Sequence, residues 1–281
     1  MYSGSLLNPL KGFDAWFGTH QKINRVARAH LAGLYAGRGY TFPGARQINR
    51  FEGVNGPDGL KRKAPGQDEL RHFYDPQKPS EATITAVIEE HYKQLVTALR
   101  DNNQPRASFE AAWLAHALVD GLTPAHHYPY EEELVKLRGG EGIESRDSLK
   151  KQILLPGETF TKQVHNNWKM FGDRGLLSTH FAFEMGIAVM ISPLRVKLGR
   201  PSDEDLVLFR QKGVVETFRA HAHKIAELKM YDAFYKSGWT PKLARQVRRE
   251  LVPVIVNMVT IAWYGAVAES QKPRATRRKR A

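Results

Sequence analysis

The chain has 281 residues, 42% of them hydrophobic, and a formal net charge of +13, a composition that fits a globular protein with one large core or two small ones. It contains no cysteine, which excludes disulfides and thiolate ligands, so any zinc must be held by His, Asp and Glu. A ligand set of that kind suits a catalytic zinc better than a purely structural one.

The first predicted element is a helix over residues 8–36, whose apolar residues recur at helical spacing. His20 lies on the apolar face, where a packed core histidine is commoner than a metal ligand. Residues 37–79 are broken by many glycines and prolines, and so long an irregular segment in a compact domain is often functional. This segment contains Asp58, which a turn between glycines would also explain, and His72, which a loop-anchoring hydrogen bond would also explain.

The sequence then predicts a helix over residues 80–101 and a second one that Ser108 caps. The second helix carries His116 and Asp120, which share one face because they are four residues apart. The glycine and proline that follow break the helix, so the chain can turn and bring His126 to the same point. Burying an Asp on the apolar side of a helix is costly, and a cation beside it would resolve that cost. Two imidazoles and a carboxylate are a zinc-type ligand set.

The middle of the chain, residues 128–175, shows little pattern beyond a short helix that begins near residues 131–133. The next clear helix runs over residues 176–191. It carries His180 and Glu184, again a histidine and a carboxylate one turn apart. An exposed pair of this kind is the alternative interpretation, but the apolar neighbours leave little polar surface around it.

The C-terminal third predicts a long helix over residues 202–235, which begins with a capping box of Ser202 and Asp205. The last helix is predicted over residues 240–268. Its apolar run is expected to be buried, being too short and too mixed to span a bilayer. The basic tail at residues 271–281 carries +6 of the net charge. It is expected to be disordered and to contact nucleic acid or an anionic membrane, although a solubilising end explains it equally well.

No strand alternation or internal repeat stands out, so the predicted class is all-α, a single-domain bundle of six to eight helices over residues 1–270 with metal ligands projecting inward. The N-terminus lacks the basic start and long apolar run of a signal peptide. We therefore expect a cytoplasmic protein without a transmembrane segment.

The order and spacing of these residues resemble the bacterial zinc-dependent phospholipase C family, within the superfamily shared with zinc-dependent single-strand nucleases. The family pattern includes His-x3-Asp-x5-His with a proline before the last His. It also includes a His-Phe-Tyr-Asp-Pro run, with a ligand Asp fourteen residues before the His of that run. A His-x3-Glu pair and a histidine in the first helix complete the pattern. The resemblance covers about residues 16–190 with gaps. The matching residues are His20, Asp58, His72, His116, Asp120, His126, His180 and Glu184.

The resemblance implies two or three zinc ions at the centre of the fold. The ligands of one zinc would be Asp58, His72, His116 and Asp120. Asp120 would bridge to a second zinc that His20 also binds. The ligands of a third zinc would be His126, His180 and Glu184.

The implied chemistry is phosphodiester hydrolysis, in which closely spaced zinc ions lower the pKa of water and offset the charge that builds on the phosphoryl oxygens. Asp58 is the carboxylate expected to assist proton removal. Three further carboxylates are expected to orient the ligating imidazoles. These are Glu52, Glu69 and Asp75.

Three departures from the family pattern lead to further expectations. Family members use the amine and carbonyl of a mature N-terminal Trp as zinc ligands, whereas here only Trp16 lies near His20, so the second zinc site is expected to be incomplete or filled by water or another metal. The aromatic positions of the family's choline box hold Gly59 and Glu69, which argues against choline specificity. Residues 128–179 form an insertion, either a lid or an interaction surface.

Three functions remain open from the sequence. The first is a zinc-dependent phosphodiesterase that acts on a lipid headgroup. The second is the same centre acting on single-stranded nucleic acid, which the positive charge favours and for which Tyr128, Tyr130 or Trp168 would stack on bases. The third is a non-catalytic, metal-stabilised module that binds polyanions through its basic tail.

Overall fold

In the computed structural model of the protein, residues 1–3, 18–59, 72–78, 83–142, 145–146, 151, 154–192 and 198–273 are described. The fold is all-helical, with 73% helix, and none of the described residues lies in a strand. The predicted all-α class is therefore confirmed, but the described residues contain more helices than the six to eight expected. The predicted helix starts at residues 8 and 80, together with most of the basic tail, lie outside the described residues.

Eleven helices follow one another in the described part of the chain. They are α1 (Thr19–Leu34), α2 (Ala45–Ile48), α3 (Thr83–Arg100), α4 (Gln104–Gly121), α5 (Tyr130–Leu137), α6 (Phe160–Phe171), α7 (Leu176–Ile191), α8 (Asp203–Ala226), α9 (Met230–Ser237), α10 (Pro241–Gln246) and α11 (Val252–Ser270). Short 3₁₀ turns at Asn49–Phe51, Gly53–Asn55 and Pro124–His127 lie between them.

The core is built around α4 and α11, which are buried along most of their length. Helix α3 packs antiparallel to α4, while α11 packs against α1, α3, α4 and α8. The largest buried side chain, Trp263, donates its indole N–H to the Ala111 carbonyl at 3.1 Å and so satisfies its polar group inside the core. Because α4 lies at the centre of the bundle, its polar residues are held in a desolvated interior.

The last helix lies close to its predicted bounds of 240–268. A π-helical turn at Val247–Leu251 joins α10 to α11, so the helix runs over Pro241–Ser270 and is long and apolar enough to cross a membrane by length and composition alone. The expectation that it is too short for this is wrong. Its most apolar window is 78% buried inside the protein, and the predicted burial is confirmed, as for a core helix.

Three helix boundaries differ from the predictions. The helix predicted over residues 8–36 begins at Thr19, because Gly18 adopts an extended conformation. Asn103, not Ser108, caps α4, since its side chain accepts from the Arg106 N–H at 3.1 Å. The helix predicted over residues 202–235 is interrupted twice: within α8 at Gly213, where φ is 76° and ψ is 178°, and between α8 and α9, where Lys229 adopts a left-handed conformation with φ 48°. The predicted capping box of Ser202 and Asp205 is confirmed.

The segment between residues 128 and 179 is more ordered than its sequence pattern indicates. It contains the predicted short helix α5 and a helix that was not predicted, α6. Its buried apolar side chains form a small second core. The members of this core are Tyr130, Leu134, Leu155 and Met170. Arg146 is buried and forms two hydrogen bonds with the Glu131 carboxylate, which fixes the chain over this core.

Candidate metal centre

The centre is organised by the C-terminal end of α4. His116 and Asp120 project from the same face and are both buried, as their spacing predicts. The helix ends at Gly121, and the 3₁₀ turn Pro124–His127 returns the chain so that the His126 ring lies 3.9 Å from an Asp120 oxygen. The predicted turn and return of the chain are confirmed.

The loop that carries His72 is fastened to this turn by backbone hydrogen bonds. The His72 carbonyl accepts from Nδ1 of His126 at 2.8 Å, and the Tyr74 N–H donates to the His126 carbonyl at 3.0 Å. These two bonds fix the orientation of the His126 ring and leave its Nε2 facing the interior. Residues 60–71, which lead into this loop and include Glu69, lie outside the described residues.

The two carboxylate oxygens of Asp120 face different neighbours. Oδ2 lies 2.7 Å from Nδ1 of His72 and 3.1 Å from Nε2 of His116. Oδ1 lies 2.6 Å from the Met1 nitrogen and 3.3 Å from Nε2 of His20. One carboxylate with two separate sets of neighbours is the arrangement that a bridging ligand requires.

Asp58 lies on the Oδ2 side of this carboxylate. Its Oδ1 is 3.7 Å from Nε2 of His116 and 4.0 Å from Nδ1 of His72. Four side chains here each offer one ligand atom, and these four atoms all lie within 4.8 Å of one another. The four are Asp58, His72, His116 and Asp120, the same set that the resemblance implies for one zinc.

A second group of ligand-type side chains is formed by α7 and the 3₁₀ turn. Oε1 of Glu184 lies 2.9 Å from Nε2 of His126 and 3.1 Å from Nε2 of His180. The ligand atoms of His126, His180 and Glu184 likewise lie within 4.8 Å of one another. These three residues are the set that the resemblance implies for another zinc. Helix α7 positions it by packing its apolar face into the core, where Phe183 and Ile187 are fully buried.

The structure brings Met1 into the centre, which the sequence analysis did not foresee. Its nitrogen lies 2.6 Å from Asp120 Oδ1 and 3.1 Å from Glu184 Oε1, and its carbonyl oxygen lies 2.8 Å from Nε2 of His20. A main-chain amine and carbonyl therefore stand beside His20, where an incomplete site was expected. Trp16, the residue considered for this place, lies outside the described residues.

Glu52 orients His116 from the side opposite to Asp120. Its Oε2 accepts from Nδ1 of His116 at 3.0 Å, and its Oε1 accepts from Nδ2 of Asn24 at 3.1 Å. A carboxylate behind an imidazole fixes the tautomer in which the other ring nitrogen keeps its lone pair. Glu52 also lies within ligand distance of His20 and His116. Asp75, by contrast, accepts from the Gln77 N–H in its own turn at 2.8 Å.

The buried charges of the centre depend on one another. Burial opposes ionisation, yet the Met1 ammonium and the His116 ring hold the pKa of Asp120 well below its usual range. Burial is likewise outweighed at Glu184, where the Met1 ammonium and the His180 ring lower the pKa. Against burial, Asp120 and Glu184 raise the pKa of the Met1 amine to about 10. Cationic groups are therefore needed beside both carboxylates.

The donor set fits a metal on chemical grounds. Nε2 of His116 is buried and has no hydrogen-bond partner, although Asp120 lies near it. Nδ1 of His126 is bonded to a carbonyl, so a neutral His126 presents the lone pair of Nε2 to the Glu184 oxygen 2.9 Å away. Two acceptors at that distance require a proton or a cation between them. Imidazole nitrogens and carboxylate oxygens are ligands that zinc prefers.

The structure also bears on the choline-box position at Gly59. A Cβ built on Gly59 would lie 2.0 Å from the Val54 carbonyl oxygen. No side chain of any size fits there unless the backbone moves, so the aromatic residue of the family pattern has no room in this loop.

Comparisons with known proteins found no match: no family model matches the chain, and neither a curated protein nor a solved structure does. The centre therefore rests on its own geometry. It comprises buried His, Asp and Glu groups close enough to hold one or several metal ions.

Proposed function

We propose that the protein is a zinc-dependent phosphodiester hydrolase with a ligand set similar to that of bacterial zinc-dependent phospholipases C. The observation that carries the proposal is the convergence of the eight predicted ligand residues, six of which surround the other two, the buried carboxylates of Asp120 and Glu184. These residues come from segments as far apart as α1 and α7. Such groups are expensive to bury together unless cations neutralise them.

The proposed zinc ligands follow the contacts described above. One zinc would be held by Asp58, His72, His116 and Asp120, and another by His126, His180 and Glu184. Between these two groups, His20 and Asp120, with the Met1 amine and carbonyl, offer ligands for a third. Zinc supplies Lewis-acid chemistry, which lowers the pKa of water and offsets negative charge on phosphoryl oxygens.

Asp58 is the protein group placed best to move a proton. Its side chain is 21% exposed, more than that of any other proposed ligand, so it reaches solvent from the edge of the centre. A carboxylate in that position can accept a proton from a water that attacks a bound phosphodiester. The remaining ligands are held inside the protein and define the position of the centre.

A cleft beside the centre offers access for a substrate. It has a volume of about 230 Å³, and His126 forms part of its wall. Its other walls include Phe73 and Tyr130, whose rings stack 5.4 Å apart. Because Tyr130 belongs to the insertion, residues 128–179 contribute to the entrance as well as to the small second core.

A single-strand nuclease is a second candidate, favoured by the net charge of +13. The same centre would hydrolyse the phosphodiester of a nucleic acid strand, with Tyr130 in the wall of the cleft as one stacking surface. Deletion of residues 272–281 tests a contribution of the basic tail, because a role in binding predicts a steep loss of salt-dependent affinity. A metal-stabilised module without turnover remains the third candidate.

The test combines metal content with turnover. We expect two or three zinc ions per chain and hydrolysis of bis-p-nitrophenyl phosphate that stops on chelation and returns with zinc. Asp120→Asn should abolish turnover and reduce bound zinc. Asp205→Asn, which changes a helix cap far from the centre, is the matched control and should retain both. Absence of bound zinc after reconstitution would disprove the proposal, and bound zinc without turnover on lipid or single-strand substrates would favour a structural role.

A further inference from the structure

Helix α6 presents an apolar stripe to solvent. Four of its large apolar side chains are exposed, with Phe160 at 79% and Trp168 at 65%. At 3.6 residues per turn, these positions fall within an arc of about 80° on one side of the helix. The four side chains of this stripe are Phe160, Val164, Trp168 and Phe171.

From this stripe we propose that α6 docks the protein on the surface of an anionic lipid membrane, lying in the plane of the interface. Exposed apolar side chains scattered singly need no explanation, but a contiguous group marks an interaction site. Half of the ten large apolar side chains that are exposed in the described residues lie between positions 154 and 171. The apolar exposure is thus concentrated on one element.

The outward orientation of the stripe is built into the local structure. Thr159 caps the helix by accepting from the Lys162 N–H at 3.2 Å. On the inward side, Asn167 exchanges hydrogen bonds with the backbone of Leu155, at 3.1 Å and 3.0 Å, and Asn166 donates to the Pro156 carbonyl at 2.9 Å. These amide side chains fasten one side of the helix to the protein, and the four large apolar side chains of the stripe are exposed beside it.

The charges beside the stripe match an anionic surface. On the helical wheel, Lys162, His165 and Lys169 begin about 60° beyond the apolar arc, on the side away from the small second core. Of these, Lys162 also pairs with the Glu158 carboxylate at 2.8 Å. Aromatic residues on one face and lysines beside them are typical of helices that lie in a membrane interface. Lysine near such a surface contributes about 1 kcal/mol of attraction, and the net charge of +13 adds long-range attraction of the same sign.

The stripe is connected to the candidate metal centre by direct packing. Met170, on the inner side of α6, belongs to the small second core with Tyr130. The Tyr130 ring lies 5.6 Å from the His180 ring, and α6 packs against α7, which carries His180 and Glu184. Docking through α6 would therefore attach the membrane to a helix that packs directly against the helix carrying two of the proposed ligands. That consequence for substrate choice rests on the proposed function, whereas the docking does not.

A lipid surface explains the composition of the stripe better than a protein partner does. Trp and Phe are favoured where an apolar body meets a polar boundary, and the lysines beside the stripe would oppose one another across a contact between two copies of this chain. The long apolar helix of this protein, Pro241–Ser270, is mostly buried, so α6 is the exposed element suited to a lipid surface in the described part of the chain.

The experiment is co-sedimentation of the zinc-loaded protein with vesicles of phosphatidylcholine, with and without phosphatidylglycerol. We expect binding to the mixed vesicles that weakens as salt increases. The double variant Phe160→Ser and Trp168→Ser should bind at least about tenfold more weakly, since each side chain loses the burial of a large apolar surface. The matched control is Val207→Ser with Leu208→Ser, two exposed apolar residues on α8, which should bind like the unaltered protein.

Three results would overturn the proposal: no binding of the unaltered protein to either vesicle, equal loss in both double variants, or self-association that disappears only in the Phe160 and Trp168 variant. Binding of oligo(dT) through this stripe in place of vesicles would assign it to nucleic acid instead. Hydrolysis of bis-p-nitrophenyl phosphate, a soluble substrate, should be unchanged in both double variants. Loss of docking and failure of the proposed catalysis are therefore measured separately.

Discussion

Replacing Glu52 by glutamine tests whether a buried carboxylate prepares His116 for metal. Glu52 is nearly inaccessible and accepts two hydrogen bonds, from Nδ1 of His116 at 3.0 Å and from Nδ2 of Asn24 at 3.1 Å. Glutamine has the same shape but only one acceptor oxygen. In Glu52→Gln one of these donors must face an N–H₂ group, so the orientation and basicity of the imidazole both suffer.

The expected loss is about tenfold to hundredfold in zinc affinity, which corresponds to about 1.4–2.7 kcal/mol. Competition with a chromophoric zinc chelator at fixed pH measures it. Only the zinc site that contains His116 should be weakened. Where another site binds zinc more tightly, the affinity of that first binding step should stay the same. Because Glu52 does not touch the His180 and Glu184 group, the zinc bound there should remain.

The matched control is Glu110→Gln. Glu110 is also fully buried and also faces a histidine, since it lies 2.6 Å from Nδ1 of His91, but neither residue belongs to a proposed metal site. This variant should lose folding stability while keeping its zinc affinity. Unchanged zinc affinity in Glu52→Gln, or an equal loss in both variants, would refute the orienting role of Glu52.

Three further changes have expected outcomes. A glycine added before Met1 converts its amine to an amide, so bound zinc, measured by elemental analysis, should fall by one ion per chain. Burial lowers the pKa of His127 to about 4. As the pH falls below 6.5, the unfolded chain therefore takes up a proton at this residue before the folded protein does. Between pH 7 and 5 the zinc-free protein should accordingly lose about 2 kcal/mol more stability in urea unfolding than the His127→Gln variant loses. Gly121→Ala places a Cβ 2.6 Å from Phe218 and should cost about 1–3 kcal/mol by the same assay.

The helices were predictable because burial leaves a periodic trace in the sequence. Apolar residues at helical spacing located α3 and α7 within a few residues, and Ser202 with Asp205 marked the start of α8. The cap of α4 was misplaced because two candidates compete there. Asn103 precedes a proline in the first turn, which is the stronger start signal, whereas Ser108 donates to the Gln104 carbonyl inside the helix.

Helix α6 was missed although its signals are present. Thr159 is a good cap, and Phe160, Val164 and Trp168 recur at intervals of four. The apolar side of α6 faces solvent and its amide side faces the protein, so the pattern contradicts the expectation that a stripe marks the core. Sequence reasoning that allows for outward stripes would have found both the helix and its surface.

The contacts of the candidate metal centre likewise include local ones, which the sequence indicates, and long-range ones, which it does not. Pairs four residues apart, such as His116 with Asp120, are fixed by one helix and are visible in the sequence. The contact of Met1 with Asp120 spans 119 positions, and that of Glu52 with His116 spans 64. No local spacing encodes such contacts, which arise only when the bundle packs. Resemblance supplied the grouping of the distant ligands, and Glu52 entered the sequence analysis only as one of three candidate orienting carboxylates.

The same buried charges that make the centre a metal site link it to folding. Asp120 and Glu184 lie inside the bundle with five imidazoles and one amine at contact distance. Without a metal, protons on those nitrogens must neutralise the carboxylates, and each bound cation replaces protons with a stronger and more directional partner. Since the unfolded chain has no such grouping, metal that binds here stabilises the fold by mass action. Chelation should therefore lower the unfolding temperature, whether or not the centre turns over a substrate.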